Sequence, residues 1–179
     1  LATEALRSLR RRPGAPDAHH AAAGGPPDVE ICVKASCHGA QGIGGWGAVL
    51  RTEERTKTLS GGDPKTTANA MLVRGAAEAL RALKKPCRVT LYSDADYLVK
   101  GASLWVQGWQ ARGWQTRDGK QVANRDEWTA LLEAARPHQV TWLLAQGDAV
   151  PADLALAGKL AVQAAQPGTP DDQSAAAAG

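Results

Sequence analysis

Residues Val89 to Arg117 read VTLYSDADYLVKGASLWVQGWQARGWQTR, and the fold turns on them. Val89, Leu91 and Ser93 alternate with Thr90 and Tyr92, the period of a half-buried strand, and that strand stops at Asp94. From Tyr97 onward Leu98, Gly101, Ala102, Trp105 and Trp109 recur at three- and four-residue steps, which is helical spacing. Asp94 therefore sits between a strand and a helix, where a carboxylate either caps the helix or holds a cation.

Extended to LYSDADYLVKGASLWVQGWQARGWQTRDGKQVAN, the stretch resembles a segment of the type 1 ribonuclease H family, in which strand, aspartate, helix and a tryptophan-rich basic handle follow in this order. Trp105, Trp109 and Trp114 fall together with Asp94, and the resemblance runs from about Val29 to about Ala165. It implies an α/β fold, a ribonuclease H-like mixed five-stranded β-sheet flanked by α-helices. It also implies cleavage of the RNA strand of RNA/DNA hybrids with two divalent metals.

The rest of the chain fits one such domain, expected over residues 29 to 166 and large enough for a core of its own. Val29 to Cys37 alternates as a first strand. HGAQGIGGWG, from His38 to Gly47, has five glycines but no GxxxxGK[ST], so it reads as a hairpin turn and not a phosphate loop. Trp46 to Leu50 and Thr56 to Ser60 follow as strands, and Gly61 to Thr67 as a turn. A helix is expected from about Asn69 to Lys84, with Met71, Ala76, Leu80 and Leu83 inward and Pro86 ending it. Asn124 to Ala135 is the next helix, Val140 to Leu144 the fifth strand, and Pro151 opens a last helix to about Gln166.

Two tails flank the domain. Residues 1 to 28 are rich in Ala, Gly, Pro and Arg, with Arg10, Arg11 and Arg12 together, and residues 167 to 179 are rich in Pro, Asp and Ala. Both read as flexible. The Arg-rich, acid-poor start has the composition of an organelle transit peptide, from which a mitochondrial matrix location is the expectation, a GC-rich bacterial linker on a cytoplasmic chain being the other reading. The formal net charge of +3 permits a polyanionic partner without demanding one. Three cysteines, Cys32, Cys37 and Cys87, make a disulfide framework unexpected. No run approaches the ~18 to 20 apolar residues of a membrane span.

The resemblance also supplies positions for the chemistry. The family holds its metals with four carboxylates, since two dications ~3.5 to 4 Å apart must be neutralised. Laid against this chain, those positions read Lys34, Leu72, Asp94 and Gly158, and a loop histidine that assists product release corresponds to Asp148. Only Asp94 keeps the family residue. Like charges at 4 Å repel by about 1 to 4 kcal/mol at effective dielectrics of ~80 to ~20, and a dication beside Lys34 would feel about twice that. The expectation is that the ancestral Mg²⁺ pair is lost, that no cofactor is bound and that no catalytic residue remains. Lys34 and Asp94 should approach each other instead, at several kcal/mol for removal of either partner. A relocated site from Asp94, Asp96, Asp148 and Asp153 is the less expected rescue.

For nucleic-acid contact the resemblance points to Thr67 and Asn69 on the backbone and to Trp105, Trp109, Arg112 and Trp114 in the handle. The handle's basic face is thinned to Gln110, Ala111, Arg112 and Gln115. Three functions compete. The first is a non-catalytic docking subunit of a large assembly of protein or RNA, such as a mitochondrial ribosome. The second is a module that binds hybrid or duplex without cutting, and the third an active ribonuclease H with unusual ligands.

Overall fold

The computed structural model describes residues 25–148 and 150–167. The two tails expected from composition lie almost wholly outside the described residues. Five strands form one sheet in the order β3-β2-β1-β4-β5: β1 Asp28–Cys37, β2 Gly42–Arg51, β3 Thr56–Thr66, β4 Arg88–Ser93 and β5 Gln139–Leu144. β1, β2 and β3 pair antiparallel, while β4 lies parallel to β1 and β5 parallel to β4. The mixed sheet is the one expected.

Alternation along the strands sorts the two faces. Ile31 and Val33 of β1, Ala48 and Leu50 of β2, and Val89 and Leu91 of β4 are buried against α1 (Ala68–Arg81) and α4 (Arg125–Ala135). On the other face Cys32 and Val49 meet Leu154 and Ala157 of α5 (Asp153–Ala164). Lys34 has the parity of Cys32, so it rises from the α5 face.

Helix α1 ends at Arg81, short of the Lys84 and Pro86 expected to stop it, with Leu83 only half-buried beyond it. Pro151 precedes α5 by two residues, and Leu154 N donates to its carbonyl in the entering turn. Between β4 and α4 the helical stretch has three parts: α2 (Asp96–Lys100), a π-helical turn over Gly101–Trp105, and α3 (Val106–Ala111).

The glycine-rich stretches differ from their reading as turns. Gly42 to Gly47 and Gly61 to Thr66 are strand, and Gly45 faces Gly62 across β2 and β3. The cause lies on α5. A Cβ on Gly45 would stand 2.5 Å from the Ala161 carbonyl oxygen, and one on Gly62 2.5 Å from that of Ala164. A Cβ on Gly47 would collide with the Ala157 carbonyl. These glycines bring the helix backbone down onto the sheet.

Candidate active site and nucleic-acid handle

Strand β1, the end of β4 and the middle of α5 bring three of the expected positions together. Lys34 Nζ lies 3.0 Å from Asp94 Oδ2, with the side chains 33% and 44% exposed. Asp94 does not cap the helix after it: the N-cap is Ala95, which makes no side-chain capping bond, and Ser93 Oγ accepts from Ala95 N at 3.1 Å. Asp94 is thus the residue that holds a cation, and the cation is an ammonium. Gly158 is the third member, since a Cβ there would stand 3.2 Å from Lys34 Cδ. The missing side chain makes the room in which the lysine stem lies.

Leu72 is 4% exposed and belongs to the apolar core under α1. Asp148 is brought elsewhere: it lines a separate cleft with Glu30, Arg51, Tyr92 and Asp153. Asp153 takes a paired hydrogen bond from Arg51, Nε to Oδ2 at 2.6 Å and Nη2 to Oδ1 at 2.9 Å. That guanidinium holds the Asp153 carboxyl below the ordinary carboxylate value. In the same cleft burial, helped by the charge of Asp153, pushes Glu30 up. Asp96 pairs with Lys100 at 3.6 Å on its own helix. Asp148 and Asp153 thus share a cleft that includes neither Asp94 nor Asp96, so the four acids of the relocated site do not converge. Among the described residues no three His, Cys, Asp or Glu side chains converge to hold a metal ion. The donors at the inherited positions, one carboxylate facing an ammonium, do not fit a pair of dications.

The handle is built on rings. Trp109 stands 5.5 Å from Trp128, 6.0 Å from Trp105 and 6.3 Å from Trp114 between ring centroids. Tyr97 joins the cluster 5.4 Å from Trp128, and its Oη accepts hydrogen bonds from Trp128 Nε1 at 2.9 Å and Asn124 Nδ2 at 3.1 Å. Trp128 is fully buried, so the handle is anchored through α4, while Trp105 stays 39% exposed and Arg112 is exposed. Tyr97 and Trp128 were not singled out as handle residues. Their signal was present, an aromatic at the head of the Trp-bearing helix and a tryptophan on the inward stripe of α4. The other two expected contacts stand at the start of α1: Thr67 is its N-cap, Oγ1 accepting from Ala70 N at 3.1 Å, and Asn69 is exposed in its first turn.

The ribonuclease H family model matches residues 26–166. A protein of Novosphingobium aromaticivorans called Ribonuclease H is 48% identical over 119 residues, 66% of this chain and 83% of that one. Another of that name, from Cupriavidus metallidurans, is 50% identical over 120 residues, 67% of this chain and 83% of its own. Among solved structures, LC9-RNase H1, described as a type 1 RNase H with the type 2 active-site motif, superposes with a TM-score of 0.70 at 29% identity. It covers 79% of this chain and 73% of its own.

These relatives correct the expected function. Near-half identity across two thirds of the chain, to proteins called Ribonuclease H, points to an enzyme of that kind and away from a non-catalytic docking subunit. The expectation of no enzyme and no cofactor falls with it, since the family works with divalent metals.

Proposed function

The chain belongs to the type 1 ribonuclease H family, and on that footing we propose that it acts on RNA/DNA hybrids as a ribonuclease H with an atypical centre. One observation carries the reading, the 48% and 50% identity with two proteins called Ribonuclease H. The aromatic handle supports it: Trp105 is partly exposed and Arg112 is an exposed cation, a ring and a charge of the kinds that stack on and neutralise a nucleic-acid strand. Asn69, in the first turn of α1, adds an amide able to bond a sugar or phosphate oxygen. The side chains at positions 34, 72, 94 and 158 do not form the family's metal cage, which is what makes the centre atypical.

The test is direct. Full chain with end-labelled RNA annealed to DNA, in Mg²⁺ and separately in Mn²⁺, should yield shortened RNA on a denaturing gel, with single-stranded RNA left whole. An RNA strand still intact in both ions at excess protein would overturn hydrolysis.

A further inference from the structure

Beside the Lys34 and Asp94 pair an open cleft of about 490 Å³ runs along α5. Its charged lining is of one sign, Lys34 from β1 and Lys159 from α5, with Ser36 beside them and Gly158 between the elements. Asp94 takes one bond from Lys34 at 3.0 Å. An ammonium has three donors, so two remain for a ligand. Lys34 is also reachable, with a third of its side chain in solvent, and Lys159 is exposed. A Cβ at 158 would crowd Lys34 Cδ at 3.2 Å, so glycine keeps the lysine stem in place along the cleft wall.

We propose that Lys34 and Lys159, with the Ser36 hydroxyl, form a cationic cradle for one backbone phosphate of the nucleic acid. This assignment rests on the reading that the chain takes RNA/DNA hybrid. Two ammonium groups against the single carboxylate of Asp94 leave a net positive cleft, and lysine serves as a point charge for phosphate. A phosphodiester oxygen docked there displaces counterions, which makes the contact readable through salt dependence. Where the family centre attracts the scissile strand through dications, this cleft attracts it through its own side chains.

Fluorescence anisotropy with a labelled RNA/DNA hybrid and the full chain, in EDTA, reads the cradle separately from any bound ion. Wild-type protein should bind in EDTA. Lys34→Gln and Lys159→Gln should each weaken binding about five- to tenfold and lower the slope of log K against log salt by roughly 0.9, the value of one phosphate contact. Lys34→Arg should restore most of the affinity, and Asp94→Asn should tighten binding about twofold by removing the competing anion. Because Lys159 lies exposed on α5, its variant keeps the fold if Lys34→Gln does not. Unchanged affinity and slope in both glutamine variants, with wild type binding, would overturn the cradle and leave the hybrid reading standing. Wild-type protein that binds no hybrid at low salt would overturn both.

Discussion

Lys34 and Asp94 show how exposure decides what an ion pair is worth. The expectation of several kcal/mol for losing either partner supposed a partly buried pair whose survivor would be stranded away from water. With the side chains 33% and 44% exposed, water screens both charges, and such pairs contribute about 0 to 1 kcal/mol. Lys34→Met should therefore lower the free energy of urea unfolding by no more than about 1 kcal/mol; a loss above ~2 kcal/mol would mean the pair is shielded. The Asp153 carboxylate behaves differently, since Arg51 lowers its pKa in the folded state. Its contribution is complete above the ordinary carboxylate value and is lost as pH falls through the lowered one. Asp153→Asn should flatten the acid limb of a stability–pH curve below about pH 4, and an unchanged limb would refute the assignment. Cys32 marks the opposite case: burial, aided by the charges of Glu30 and Asp153, pushes its thiol up to about 12. In the native protein Cys32 should resist alkylation at pH 8, while half-exposed Cys37 reacts first in a timed mass-spectrometric assay.

At the scale of elements, the pairs β2 with α5 and α3 with α4 show what was legible and what was not. β1, β4 and β5 could be read because half-buried strands alternate, and alternation is local. β2 and β3 were read too short because their glycines look like turn residues. Their meaning comes from α5, over a hundred residues on, whose backbone needs the space. Gly45→Ala should cost roughly 1 to 3 kcal/mol in thermal or urea unfolding, the range for overpacking. A neutral result would show that α5 gives way freely. The π-helical turn over Gly101–Trp105 escaped periodicity for a related reason. Val106 N donates to Gly101 O, one residue further back than in an α-helix, and nothing in the local spacing announces it. Tyr97→Phe tests the handle's anchor: it deprives Trp128 Nε1 and Asn124 Nδ2 of their acceptor and should cost about 1 to 3 kcal/mol.

For the whole molecule, architecture was legible and activity was not. Strand order, the two faces and the position of Asp94 follow from periodicity joined to a family resemblance. The functional expectation gave most weight to the lost carboxylates at Lys34, Leu72 and Gly158, together with the tails and the thinned handle, while the scaffold around them stays close to proteins called Ribonuclease H. Restoring Lys34→Asp, Leu72→Glu and Gly158→Asp together gives the direct comparison at this scale. RNA release from hybrid should rise at least tenfold in Mg²⁺, and a rate equal to wild type would show that turnover does not depend on these positions. Leu72 is buried, so the triple variant should also melt earlier, because glutamate there brings a charge into an apolar core.

The contact between Gly158 and the stem of Lys34 is a soft one: a Cβ at 158 would stand 3.2 Å from Cδ of a side chain that can turn aside. The vacancy at 158 therefore sets where the positive charge comes to rest, with little bearing on how firmly the helix is seated.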